Sequence, residues 1–450
     1  MESQTPSDLR DQLLALLEAG DTMALSTLLG EQEPFDLAAA FYLIPVPEAQ
    51  RLLELMALED GAALLLEMEV SGQLQLIEAL GPDKLASYVA TMEPDDAADV
   101  VGVLDPKRAD EILEQLPDQM RRAIETLLIY PEDSAGGLMD PDVVRVHDWQ
   151  TVNEALNTIR NYVYRVDMDD FFSVFVLDRD NRLAGVVPNW RMLIAKPEAL
   201  IREIMDTDVV AVTPETDQEE IAHLVRDHDL VTVPVVDKDN RLLGRVTVDD
   251  VVDVIQEEYE EDVGRMAGTG AEEVREISIA QSLRLRAPWL LVALSGQFVS
   301  TTIMRSQADF LRSMVQLTFF IPLIAAMAGN MGLQSSTLVI RGLATGELRL
   351  AQFWSRVARE VVTALAMGVL LAAILVTWGL AVMGDIKLGV VVAIATSAAV
   401  LLAACLGTTM PMLLKRMNVD PALATGPFLT TLNDILGIVV YLSIAYLIFR

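Results

Sequence analysis

Residues 422–449, ALATGPFLTTLNDILGIVVYLSIAYLIF, form an apolar run long enough to cross a bilayer as one helix, with a single carboxylate, Asp434, beside Asn433 near its middle. An Asp at the centre of a membrane helix costs about 2.5–3.5 kcal/mol on insertion scales. A chain that carries this cost uses the group to bind a cation, relay a proton or line a water-filled path. The competing reading is a carboxylate hydrogen-bonded inside a helix bundle for packing alone.

Composition fits such a span only if the chain is divided. Hydrophobic residues make up 52% of its 450 residues and mean hydropathy is positive, yet net charge is −33. Six of the 66 acids and twelve of the 33 Lys and Arg lie between Leu283 and Arg450. That stretch is therefore basic, and the 282 residues before it hold 60 acids against 21 bases. An acidic soluble portion precedes a membrane portion. Its sign argues against nucleic acid as a partner and for small cations or basic surfaces. The N-terminal residues lack a basic leader followed by an apolar core, so the front portion is expected to stay in the cytoplasm. Cys405, the single cysteine, excludes an intrachain disulfide, and the three histidines have no zinc spacing.

Residues 1–130 read as short helices. Leu13, Leu14 and Leu17, and later Leu52, Leu53, Leu55 and Met56, recur at helical spacing. Glu93-Pro94, Asp105-Pro106 and Leu116-Pro117 mark helix starts about a dozen residues apart, as a helical superhelix requires. Asp95 and Asp99 fall one turn apart and are expected to share a face, as candidate cation ligands or as a solvated acidic start.

Residues 131–255 contain a duplication. LMDPDVVRV at 138–146 answers IMDTDVVAV at 204–212, and FFSVFVLDRDNRLAGVV at 171–187 answers LVTVPVVDKDNRLLGRV at 230–246. Each copy, about 138–200 and 204–255, predicts a short strand, a helix (Thr151–Arg160, Thr216–Asp227) and two strands joined by an Asp/Asn turn before Gly185 or Gly244. The pair resembles tandem CBS domains, α/β modules that sense adenine nucleotides or metal ions. The resemblance implies ribose contacts from Thr247 and Asp250, making ATP a candidate ligand. The first copy has Pro188 and Arg191 at those positions, so nucleotide binding is expected to be lopsided. Asp250 as a plain helix cap is the other reading.

From 249 to 282 the pattern predicts a long acidic connecting helix. Asp250, Asp253, Glu257, Glu258, Glu261 and Asp262 crowd its first part. Like charges this dense repel unless cations lie among them, and hard carboxylates without His or Cys suit Mg²⁺ or Ca²⁺. GRMAGTG at 264–270 lacks the Lys-Ser/Thr ending of a phosphate loop.

Residues 283–450 predict five spans, near 288–304, 315–340, 361–383, 388–414 and 422–449. With the N-terminus inside and the C-terminus outside, cytoplasmic flanks carry eight Lys and Arg and external flanks four, the favoured bias. In the second span, PLIAAMAGNMGLQSSTLVIRGLAT combines small residues with Asn330, Gln334, Ser335, Ser336 and Thr337. Helix–helix contact alone accounts for such a run, but with Asp434 in another span a hydrophilic path is the better reading.

The Pro-x(5)-Ala-Gly-Asn-x-Gly-x-Gln-Ser-Ser-Thr run with Arg341-Gly-Leu-Ala, and Thr430-Thr431-x-x-Asp434-x-x-Gly437, resemble signatures of the MgtE family of magnesium channels. The order of parts is similar along the whole chain, with two departures: Ala328 in place of a usual Gly, and the degenerate first CBS copy. The resemblance implies a multidomain membrane homodimer in the cell inner membrane. Its fold would combine an all-α N domain, α/β CBS pair, connecting helix and five-helix pore domain. It implies an axial pore with Asp434 as the Mg²⁺ site, lined by Asn330, Gln334, Thr337, Thr431 and Asn433. Mg²⁺ would be held through its waters, with Co²⁺, Ni²⁺ and Mn²⁺ as further candidates. It also implies regulatory Mg²⁺ at Asp95, Asp99, Glu219, Asp229, Asp250, Asp253, Glu257, Glu258, Glu261, Asp262 and Asp420, closing the pore when bound.

Two other classes compete. A proton- or sodium-coupled divalent-cation carrier would use Asp434 as the coupling site; the five predicted spans carry no second acid and no internal repeat, which counts against it. A membrane-anchored sensor would not need polar residues in two spans. Neither is an enzyme.

Overall fold

The structure is a computed structural model that describes residues 5–68, 70–166, 172–269, 278–417, 419–424 and 426–449. The chain divides into two compact units, residues 1–256 and 257–450.

The first unit opens with ten short helices, α1–α10, running from Pro6 to Leu127. Proline at the first turn starts several of them, at Pro6, Pro34, Pro82, Pro94 and Pro106, because its missing N–H and fixed φ cost nothing there. Pro117 differs slightly: it precedes the helix Asp118–Leu127 as its N-cap. Helices this short are marginal alone and depend on packing. Leu13, Leu37, Leu52, Leu64, Leu76 and Leu85 are fully buried along a shared core. Long-range hydrogen bonds tie successive layers: the Tyr88 hydroxyl donates to the Leu53 carbonyl at 3.0 Å, and Arg108 donates to the carbonyls of Ile77, Glu78 and Leu80.

The duplicated segment folds as two related copies. In the first, β1 (Arg145–His147) lies parallel to β2 (Ser173–Leu177), which pairs antiparallel with β3 (Leu183–Pro188). Helix α11 (Val152–Val166) precedes β2, and short helices α12 (Asn189–Ile194) and α13 (Ile201–Ile204) follow β3. In the second, α14 (Gln218–His228) precedes the hairpin β4 (Thr232–Val236) and β5 (Leu242–Thr247). The expected first strand shrinks there to one parallel bridge, Val212 to Val235.

The repeat is also chemical. Asp178 and Asp237 each accept backbone N–H bonds two and four residues on, and Asn181 and Asn240 take φ of 59° and 63°. The entry strands cross over between copies. Asp140 exchanges backbone hydrogen bonds with Arg245, and Asp206 with Val186, so each copy's leader is paired into the other's hairpin. Gly185 and Gly244 permit this: a Cβ at either would stand 2.7 Å from the carbonyl oxygen of Asp206 or Asp140.

The acidic helix α15 (Val248–Ala267) is shorter than the 249–282 expected. Gly268, at φ +74°, ends it, and Thr269 N–H bonds back to the Gly264 carbonyl at 2.8 Å. GRMAGTG is thus mostly helix and helix end, not a phosphate loop; its last glycine and residues 271–277 lie outside the described residues.

Among the described residues of the second unit, five helical segments are long and apolar enough to cross a membrane: Ile279–Ser306, Val315–Ala344, Leu350–Val382, Ile386–Arg416 and Gly426–Phe449. Their main helices are α16 (Ile279–Ser306), α18 (Ile321–Ala344), α19 (Phe353–Trp378), α20 (Ile386–Arg416) and α21 (Gly426–Phe449), with the short α17 (Ala308–Ser313) after the first. The first and third segments begin about ten residues earlier than expected. Helix α20 is central, burying Val391, Ala395, Ala399, Ala403 and Gly407. Helix α16 is peripheral; of its residues only Gly296 and Ser300 are buried.

Replacing Gly244 by Ala should lower stability by about 1–3 kcal/mol through forced displacement of the Asp140 leader. Gly30→Ala, where a Cβ meets nothing within 4 Å, should leave the thermal midpoint almost unchanged. Equal midpoints for the two variants would refute the close-approach account.

Candidate functional site

Asp434 lies on α21 and is partly exposed. Its Oδ2 accepts a hydrogen bond of 2.8 Å from Nε2 of Gln297 on α16, a partner that the sequence reading missed. The signal was a lone amide in an apolar span. Helix α21 packs along α18 through small residues: a Cβ at Gly329 would touch the Thr430 methyl at 3.7 Å, and one at Gly437 would meet the Ala328 methyl at 3.7 Å. Alanine at 328 is accommodated, fully buried.

The polar residues of these two helices divide. Asn330 and Gln334 are exposed on α18 and Thr337 is half-buried, one face at i, i+4 and i+7. Thr431 and Asn433 turn into the protomer instead. Thr431 is buried, its hydroxyl bonded to the Pro427 carbonyl and its methyl seated over Gly296. Asn433 is 2% exposed, occupying the space left by the missing side chain of Gly332, and among the described residues neither of its amide atoms has a hydrogen-bond partner.

Because the third segment starts at Leu350, Glu360 falls within it, 6% exposed. Ser335 of α18 donates to Glu360 at 2.7 Å, and Arg356, one turn earlier, stands at 3.5 Å. At the end of α15, Arg265 forms ion pairs with both Glu261 and Asp420. Two expected metal ligands thus already share a guanidinium.

The first unit gathers acids from three segments. Asp95 is 9% exposed at the start of the helix Pro94–Gly102, and among the described residues its Oδ1 has no hydrogen-bond partner. Burial holds its carboxyl well above the usual range, and the charges of Asp140, Asp96, Asp250 and Glu93 push it further. The same causes raise Glu93 to about 7 and Asp96 to about 6. Asp249 and Asp253 also act on Asp96. Arg245 is the buried cation nearby, 3.0 Å from Asp140. Asp99 does not join: it is exposed, and with Glu132 lines a small cleft of about 90 Å³. Glu219 lies 3.6 Å from His223, and Asp229 ends α14 in a left-handed conformation, φ 52°. Asp253 and Glu257 are exposed, Glu258 and Asp262 half-buried. Among the described residues no three acids, His or Cys are close enough to hold a metal ion directly. The Thr247 hydroxyl donates to Asp250 at 2.6 Å at the start of α15, and in the first copy Arg191 donates to the Ile204 carbonyl at 3.0 Å.

The fold and these sites define a membrane transport protein with a helical and CBS-type soluble portion. Family models match in three places: the divalent cation transporter MgtE over residues 321–444, the MgtE intracellular N domain over 32–133, and the CBS domain over 201–257, within the second copy. The magnesium transporter MgtE of Bacillus subtilis is 30% identical over 99% of this chain and 98% of its own length. That of Thermus thermophilus is 34% identical over 96% of each. The solved cytosolic domain of the Mg²⁺ channel MgtE in complex with ATP aligns at 35% identity and TM-score 0.52, covering 54% of this chain and 99% of that one. The soluble part of a magnesium transporter aligns at 27% identity and TM-score 0.51, covering 56% and 99%. The chain belongs to the MgtE family of magnesium transporters.

The acid cluster has a pH signature. The folded carboxyls keep protons that unfolded Asp and Glu, with pKa about 4, have released. Stability is therefore fullest below pH 4 for these groups and drains as pH rises towards about 7. In divalent-free detergent solution the thermal midpoint attributable to this unit should fall between pH 5 and 8, and Asp95→Asn should flatten the slope. A midpoint that holds level over this interval in the unsubstituted protein would remove the cluster's charge repulsion from the account.

Proposed function

We propose that the chain is a homodimeric Mg²⁺ channel of the bacterial inner membrane, conducting along the dimer axis and closed by cytoplasmic Mg²⁺. The observation that carries this reading is Asp434: a partly exposed carboxylate within a span, with one oxygen held and the other accepting no hydrogen bond among the described residues. Paired across an axis, two such carboxylates repel, and a divalent cation relieves that repulsion. Mg²⁺ gives up water reluctantly, so the carboxylates would hold it through its hydration shell, with Asn330, Gln334 and Thr337 as further oxygens along α18. Co²⁺, Ni²⁺ and Mn²⁺ are the other candidate ions. The N-terminus is placed inside and the C-terminus outside by the charge bias of the flanks.

Regulation rests on Asp95 and its neighbours. An unpartnered buried carboxyl among four further acids favours a proton or a cation, and spacing too wide for direct ligation suits a hydrated ion. Bound Mg²⁺ would draw Asp95, Asp96, Asp140, Asp250 and Asp253 together; in the second unit it would compete with Arg265 for Glu261 and Asp420. ATP is proposed at Thr247 and Asp250, supported by the ATP complex of the similar cytosolic domain. The Thr247–Asp250 bond would have to open for ribose.

A coupled carrier remains the second reading, favoured by one observation: Glu360 is a buried acid bonded to the polar run of α18.

In liposomes, Asp434→Asn should abolish Mg²⁺ flux without loss of folded dimer; undiminished flux removes the pore assignment. Proton movement stoichiometric with Mg²⁺ and abolished by Glu360→Gln would decide for the carrier. Neutralising Asp250, Asp253, Glu257 and Glu258 together should weaken inhibition by cytoplasmic Mg²⁺ about tenfold, the scale of a single coupling of 1–2 kcal/mol. An unchanged midpoint and depth of inhibition would exclude this gate.

A further inference from the structure

Gly296 brings α16 so close to α21 that any Cβ there would overlap the Thr431 methyl. The next residue, Gln297, is thereby delivered to Asp434, and its carboxamide N–H bonds Oδ2 at 2.8 Å. The orientation is set by charge. An ionised carboxylate only accepts, so the amide must present its NH₂ to Asp434 and leave its carbonyl oxygen directed elsewhere. Gln297 is itself exposed on the protomer surface, as a group facing an ion path would be.

This arrangement bears on which ions bind. Calcium accepts carboxylates in bidentate fashion at 2.3–2.6 Å and sheds water readily, whereas Mg²⁺ keeps its waters and needs only acceptors for them. A carboxylate with Oδ2 already engaged is a poor bidentate ligand. It still offers Oδ1 to a water of hydration, and the Gln297 carbonyl offers a second acceptor.

We propose that Gln297 is a specificity-determining positioning residue, which ties up one oxygen of Asp434 so that the site takes a hydrated Mg²⁺ and disfavours a dehydrated Ca²⁺. This rests on the pore reading of Asp434.

The test measures Mg²⁺ uptake and its competition by Ca²⁺ in liposomes containing the full chain. Gln297→Leu removes the donor at similar volume; Gln297→Glu keeps the shape, loses the amide N–H and guards against misfolding of the first. In whichever variant assembles, Ca²⁺ should compete about tenfold more strongly against Mg²⁺, the effect of freeing an oxygen from one hydrogen bond to a charged group. The midpoint of cytoplasmic Mg²⁺ inhibition should stay within about twofold, since it depends on other acids, whereas Mg²⁺ flux should fall with the loss of the Gln297 carboxamide and by less than the competition by Ca²⁺ rises. An unchanged ratio, or equal loss of response to both ions, overturns the inference and leaves Gln297 a packing residue. Asp434→Asn, measured alongside, separates the two failures: if it still conducts Mg²⁺, the pore reading itself has failed.

Discussion

A carboxylate removed from bulk water has to be compensated where it stands, by hydrogen bonds, an opposite charge, a proton or a metal ion. In the membrane unit this requirement governs how closely the helices pack. Helix α16 has little buried surface of its own, yet it meets α21 at Gly296 and Thr431, and that contact supplies the amide bonded to Asp434. Small residues serve the same end on the other side of α21, where Gly332 leaves room for the Asn433 side chain. The close approaches are thus tied to where the polar groups sit.

Much of this architecture can be read from periodicity and repetition. The Pro-marked helices, the two CBS-like copies and five spans each leave a local pattern that sums over ten or more residues. The duplicated MDxD leaders announce a repeat, but not that each leader pairs with the other copy's hairpin, Asp140 with the distant Arg245 and Asp206 with Val186. The stop at Ala267 turned on one glycine with positive φ, which charge pattern cannot distinguish from a tolerated helical glycine.

Side-chain direction was less accessible than position. Asn330 and Asn433 both lie in polar runs of membrane helices, and only packing decides that the first is exposed and the second enclosed. Asp95 and Asp99 are one turn apart, but α8, the helix Pro94–Gly102, is short, and its first turn is enclosed by Asp140 and the start of α15 while Asp99 stays at the surface. The helical segment that carries Glu360 starts at Leu350, ahead of the apolar stretch, and Ser335 and Arg356 enclose the acid there.

The acids withdrawn wholly or partly from solvent differ in how they are compensated. Glu360 has a serine donor and an arginine; Asp140 has Arg245; Asp420 and Glu261 share Arg265. These already have a partner within the chain, which a bound ion would have to displace. Asp434 has a neutral amide on one oxygen, which orients the carboxylate without cancelling its charge. Asp95 is the extreme case: an unpartnered oxygen in a buried position, with four acidic neighbours raising its proton affinity. Replacing any acid of the first group by an amide would strand its own donor or cation, whereas Asp95→Asn would relieve a repulsion. Acids that the protein has not neutralised internally are the ones whose charge responds to what is dissolved around them.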